Sequence, residues 1–201
     1  MNLNDPEQPL HERVGALEAA VSALSERLHS LASQVLQHEE SFALVSDVAR
    51  YAPLRDLLAA GRFRDADVET ANVLFDCINT TLENVTPEEI KTFPIGPLRI
   101  VDQLWRNHSD GKFGFSVQER LYRSLGGTLD TLIAQDVDLY QTFCDRLGWH
   151  SEGQFTEADG TDDISAMPEG ALPRCCWFSS YGMKITNLLL VRLITADLGG
   201  G

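Results

Sequence analysis

At 201 residues the chain is long enough to bury one core of ordinary size without disulfide or metal staples. Its 30 acidic against 16 basic residues leave a formal charge of -14, a field that repels polyanions and argues against nucleic acid as a partner. No apolar run is long enough to span a bilayer, the start MNLNDPEQPL carries no export pattern, and the four cysteines form no CxxC pair.

The first periodic segment places Val14, Leu17, Val21, Leu24, Leu28, Leu31 and Val35 at alternating three- and four-residue steps, a heptad seam. With Val14 at position a, the a sites read Val, Val, Leu, Val and the d sites Leu, Leu, Leu, then His38, a pattern that favours two strands. The e and g sites (Glu18, Ser25, Ala32; Ala20, Arg27, Gln34) hold few complementary charges. Two readings stay open: a homodimer through residues 14–35, or a helix packed along the chain's own globular domain. Residues 1–45 are therefore set apart as an N-terminal helical segment, with a core domain over 46–201.

The core domain opens with Tyr51, Leu54, Leu57 and Leu58 on one helical face, Gly61 as a left-handed cap, and Ala66, Thr70, Val73, Leu74 and Ile78 on a second helix. Thr86-Pro87-Glu88-Glu89 is a capping box with proline at the first helical position. Pro97 then opens a helix bearing Leu98, Val101, Leu104 and Trp105. Ser116 with Glu119 repeats the capping-box pattern and predicts a helix over 117–125, stopped by Gly126-Gly127. Asp136 caps a helix carrying Leu139, Tyr140, Phe143 and Leu147, and a last helix covers about 183–196. Strand-like alternation is scarce, so the fold class is all-α.

Two segments stand out. Between Arg99 and Arg123, five basic residues face three acidic ones, and Trp105, Phe113 and Phe115 frame the turn Ser109-Asp110-Gly111. Rings framed by cations suit a flat, apolar ligand that carries carboxylates. The second segment is the connection from His150 to Gly182, longer than ordinary loops and thus a functional candidate. Its first half, residues 151–170, holds six acids and no base; its second half, ALPRCCWFSSYG, is aromatic. No GxSxG elbow, HExxH pair, glycine-rich phosphate cradle or complete calcium loop accompanies them, so neither a catalytic residue nor a metal site is nominated.

The stretch DQLWRNHSDGKFGFSVQERLY closely resembles the signature of the genomes-uncoupled-four family of tetrapyrrole-binding regulators of magnesium chelatase. So do YAPLRDLLAAGRFRDADVETANVLF, with its Ala66, Asp67, Glu69, Thr70 element, FCDRLGWH at 143–150 and PEGALP at 168–173. The likeness covers roughly residues 45–195. It implies a compact helical core whose long loops shape a cupped, apolar surface, preceded by an N-terminal helical module.

It also implies a non-enzymatic protein that binds protoporphyrin IX or Mg-protoporphyrin IX as a ligand and stimulates the large, porphyrin-binding subunit of magnesium chelatase, regulating chlorophyll biosynthesis. Carried onto matching positions, one wall of the cup comprises Trp105, Arg106, Lys112, Phe113, Phe115 and Gln118. The opposing fingers comprise Trp149, Phe155, Leu172, Pro173, Arg174 and Trp177. The implied location is the cytoplasm of a cyanobacterium or the chloroplast stroma, with peripheral contact to photosynthetic membranes.

Three positions depart from the family pattern. Ala171 stands where histidine is common, Phe63 where tryptophan is usual, and the lid after Trp149 has Phe155 and the acidic run EADGTDD in place of tryptophan and tyrosine. An acidic lid repels porphyrin carboxylates. The alternative is a divergent scaffold or sensor that binds a linear tetrapyrrole and does not activate the chelatase.

Overall fold

A computed structural model describes residues 9–151, 154–155, 163–178 and 181–196. The chain divides into two units, Met1–Ala49 and Arg50–Gly201. Helix α1 runs Leu10–Ala59 and contains Pro53. Proline has no N–H to give the carbonyl four residues earlier, so the ladder lacks a bond at Ala49, where the unit boundary falls.

In the first unit the seam side chains from Val14 to Leu31 are all exposed, by 44% to 66%.

The second unit is helical: the last turns of α1, then α2 (Phe63–Asp76), α3 (Pro87–Lys91), α4 (Ile95–His108), α5 (Phe115–Ser124), α6 (Leu129–Ala134), α7 (Val137–Arg146) and α8 (Met183–Ala196). Among the described residues the exception to the all-α reading is an antiparallel ribbon, β1 (His150–Ser151) with β2 (Gln154–Phe155). A single 3-10 turn, Cys175–Trp177, precedes α8.

Helix α8 packs on α3, α4, α5 and α6, and Ile185, Leu189, Leu190 and Leu193 are buried. Two cations tie it in. Arg99 donates to the Ala196 carbonyl at 3.0 Å, satisfying an otherwise unpaired acceptor at the helix end. Arg192 donates to the Phe93 carbonyl at 2.6 Å.

Local signals behave as their chemistry dictates. Gly61 takes φ +71 and the Arg62 N–H reaches back to the Leu57 carbonyl at 3.0 Å, a left-handed helix stop. Thr86 and Glu89 form the reciprocal capping box of α3. Asp136 caps α7 through the Leu139 N–H at 3.0 Å.

Two expectations need correction. Helix α4 begins at Ile95, two residues before Pro97, because Pro97 tolerates the first turn where its missing N–H has no partner to lose. Ser116 does not cap α5: the helix starts at Phe115, and the Ser116 N–H donates 2.8 Å to Asp102 of α4. Helix α6, over Leu129–Ala134, has no counterpart among the elements read from the sequence and is capped by a Thr128–Thr131 box.

Candidate ligand-binding site

The rings and the amide of the expected wall lie in the interior of the domain, whereas Arg106 is exposed and Lys112 half-buried. Trp105, Phe113 and Phe115 have 0% exposure, and Gln118 is equally buried. Phe63, Trp105 and Phe113 form a trio with ring centroids 6.1 to 6.2 Å apart. The Trp105 indole N–H donates 2.9 Å to the Thr70 hydroxyl, which itself donates to the Ala66 carbonyl at 2.8 Å. A second run of rings passes from Tyr122 through Phe143, Trp149 and Trp177 to Phe115, with neighbouring centroids 5.3 to 6.1 Å apart. Edge-to-face and tilted ring pairs of this kind add roughly 0.5–1.5 kcal/mol each beyond the area they bury.

That interior fixes a strap, residues 163–178, which crosses over it. The pairing is through the backbone: the Gly170 N–H donates to the Lys112 carbonyl at 2.9 Å and the Gly114 N–H to the Leu172 carbonyl at 3.0 Å. Gln118 donates from Nε2 to the carbonyls of Gly170 (2.9 Å) and Pro173 (2.8 Å). Trp149 donates to the Ala171 carbonyl at 2.8 Å, and Trp177 to that of Pro173 at 3.0 Å.

The glycines of this junction are required. Gly114 has φ +134, and a Cβ there would lie 2.7 Å from the Asp102 carboxylate. Gly170 has φ +76, and a Cβ would meet Leu121 at 2.7 Å and Leu147 at 2.8 Å.

Asp67 of α2 holds the far end of the strap. It is 6% exposed and accepts the Arg174 N–H at 2.6 Å and the Cys175 N–H at 2.9 Å. Burial pushes its carboxyl above the usual aspartate value, against the pull of those hydrogen bonds and the Arg174 charge. Burial likewise pushes the Cys175 thiol up to about 12, which makes it a poor nucleophile.

Between α2, the end of α7 and the strap lies a cavity of about 450 Å³, within the range of roughly 300–1,000 Å³ typical of small-molecule sites. Val68, Leu147, Trp149, Met167, Pro168 and Leu172 supply apolar lining; Arg64 and Arg174 supply two guanidinium groups, and Asp67 also lines it. The Arg174 guanidinium stands 4.9 Å from the Phe178 ring, a cation–π contact that orients it. Such a cavity accepts a flat apolar body with anionic groups at its rim.

Of the nominated residues, Trp149, Leu172 and Arg174 line this cavity. Trp105, Phe113, Phe115, Gln118, Pro173 and Trp177 stand behind it as frame and strap anchors. Arg106 is exposed, and the Lys112 ammonium donates to the carbonyls of Ile164 and Ser165 in the strap. The Phe155 side chain, and most of the acidic lid, lie outside the described residues. Reasoning from sequence missed Arg64, Val68, Leu147, Met167, Pro168 and Cys175. One signal was available: Arg64 and Val68 lie four apart on α2, on the face turned away from buried Phe63, Ala66 and Thr70. Among the described residues no group of three His, Cys, Asp or Glu side chains could hold a metal.

Fold and site together define a helical domain with an arginine-flanked apolar pocket beneath a backbone-paired strap. The chain belongs to the GUN4-like family, whose model matches residues 45–189. It is 31% identical over 128 residues to a Ycf53-like protein of Synechocystis sp., covering 61% of this chain and 50% of that protein. To the "Tetrapyrrole-binding protein, chloroplastic" of Arabidopsis thaliana it is 36% identical over 72 residues, 34% of this chain and 27% of that protein. The chain thus spans half or less of these two curated relatives. The ligand-free structure of Arabidopsis thaliana GUN4 shares the fold, with a TM-score of 0.52 at 23% identity over 70% of this chain and 93% of that one.

Proposed function

We propose that the domain over residues 46–201 binds a tetrapyrrole, protoporphyrin IX or its magnesium complex, and acts without catalysis of its own as an activator of magnesium chelatase. The observation that carries this reading is the cavity of about 450 Å³ with Arg64 and Arg174 at its border and Trp149 in its lining. Family membership and the name of the Arabidopsis relative support it. A macrocycle fits such a lining through its apolar face, and its two carboxylates fit guanidinium groups, which bind carboxylates through paired N–H donors.

Titration of the pure protein with magnesium protoporphyrin is the test. The expected result is a saturable Soret shift with tryptophan quenching, since Trp149 lines the site, at micromolar or tighter affinity, about -8 kcal/mol. Absence of a saturable shift overturns the ligand assignment. The partner in this reading is the large porphyrin-binding subunit of the chelatase, and a chelatase assay with and without the protein tests it separately.

The six acids and no base over residues 151–170 favour a second reading, in which a scaffold or sensor takes a linear tetrapyrrole. A bilin that binds at least tenfold more tightly than the porphyrin, with no chelatase stimulation, selects it. No helix among the described residues is long and apolar enough to cross a membrane. Contact with an anionic membrane surface, at chain charge -14, then needs a protein or ligand as intermediary.

A further inference from the structure

The strongest unexplained feature of the molecule lies outside the matched family region. From Val14 to Leu31, α1 carries six large apolar side chains with exposures of 44% to 66%, all in line along the helix. A helix whose apolar stripe stays in water has little to hold it, because helices in proteins draw most of their stability from packing that stripe. A partner surface would take that stripe out of water.

We propose that the cover is a second copy of this chain, paired in parallel and in register through residues 14–35 as a two-stranded coiled coil. The width of the stripe separates this from packing on a globular core. A core-facing helix carries apolar residues at a, d and at e or g, about three positions in seven, whereas a coiled-coil seam is confined to a and d. Here the described positions beside the seam are Glu18, Ala20, Ser25 and Arg27, polar or small. The period is 3.5 throughout, which keeps a seam facing one partner as two helices wrap around each other.

Valine at a with leucine at d selects two parallel strands. In that register Ala20 faces Ser25 of the other copy, a pair without charge. With roughly 80 Å² from each of six side chains, the pair buries on the order of 1,000 Å², the lower limit for a specific interface. An interface of that size over three heptads is weak, with a dissociation constant on the order of 10 µM.

The experiment uses the full chain. Sedimentation from about 5 to about 200 µM is expected to show mass rising from 22.3 kDa towards twice that value. Leu17→Glu with Leu24→Glu should raise the dissociation constant more than tenfold and leave the thermal midpoint unchanged, because neither residue belongs to the buried core. Val21→Cys, at an a position, should form a reducible covalent dimer under mild oxidation; Glu26→Cys, on the outer face, should not.

A chain that stays monomeric at 200 µM, or a dimer that survives the double glutamate variant, overturns the proposal. Equal crosslinking at positions 21 and 26 overturns the parallel register. Porphyrin titration of the same variants reads the pocket independently, so loss of dimer with intact ligand binding does not touch the tetrapyrrole reading.

Discussion

Residues 101–122 and the strap over 163–178 use their side chains in opposite ways. The first segment holds the denser motif, yet Trp105, Phe113, Phe115 and Gln118 are all interior, and what it offers the strap is backbone, the Gln118 amide and two surface cations, Lys112 and Arg120. The strap has a plainer sequence, but Met167, Pro168, Leu172 and Arg174 reach the cavity. A conspicuous motif can therefore mark the frame that shapes a site as readily as the surface that touches a ligand. Substitutions in the two segments should separate into stability effects and affinity effects.

The largest effect belongs to the frame. Trp105→Ala removes a fully buried indole together with its hydrogen bond to Thr70. It should cost about 3–5 kcal/mol of stability, a fall of ten degrees or more in the thermal midpoint. The comparison breaks if Trp105→Ala leaves the midpoint within two or three degrees of wild type while porphyrin affinity collapses, for that would make Trp105 a ligand contact.

Gly170→Ala comes next. Alanine pays about 1–2 kcal/mol to hold a positive φ, and its Cβ would press on Leu121 and Leu147. The strap should lift from Gln118, with a loss of roughly 2–4 kcal/mol in stability and weakened ligand binding together. Gly111→Ala, also at positive φ but with open space around the Cβ, is the control and should cost only the backbone share. Equal losses in the two variants would mean that the strap is not held by this close approach.

The architecture was largely legible in the sequence where its causes are local. Helix α8 begins and ends where its periodicity predicts, and the caps at Thr86, Asp136 and Gly61 announce themselves because both partners lie within a few residues. Helix α6 escaped because threonine, not glutamate, completes its box at Thr131, and because Gly126-Gly127 explained the break by itself. The Asp102–Ser116 cap was invisible for another reason: donor and acceptor come from different helices, and the nearer pair Ser116–Glu119 mimics a local cap.

The pocket was less legible because it exists only when α2, the end of α7 and the strap meet. Trp149, Leu172 and Arg174 could be nominated through the family likeness, whereas Arg64 and Val68 had no motif to single them out. Periodicity tells which face of α2 is buried; it does not tell what crosses the other face. Asp67 shows the same limit, since its two N–H donors lie at positions 174 and 175.

On the strap side the expected effect is on affinity. Arg174→Gln and Arg64→Gln should each weaken magnesium protoporphyrin binding about tenfold, roughly 1.4 kcal/mol, and the double variant more, with midpoints within a few degrees of wild type. Against a tetrapyrrole whose carboxylates are esterified, the variants and the wild type should bind alike. An unchanged affinity for the free acid would remove the carboxylate clamp from the argument and leave the pocket purely apolar.

The smallest effect concerns Asp67, where the frame, the strap and the cavity meet. Its native carboxyl value is raised by burial, so the folded chain holds that proton more tightly than the unfolded chain does. The stability it contributes is fully present below the unfolded value near 3.8 and is lost as pH climbs through the raised one. Asp67→Asn keeps an oxygen to accept the Arg174 and Cys175 N–H groups but has no proton to lose. The midpoint of Asp67→Asn minus that of wild type should therefore be near zero at low pH, grow as pH rises above 3.8, and level off once wild type is ionised. A difference that shrinks with rising pH would show that the Arg174 charge outweighs burial at Asp67. The strap would then be secured by an ion pair, with its backbone hydrogen bonds secondary.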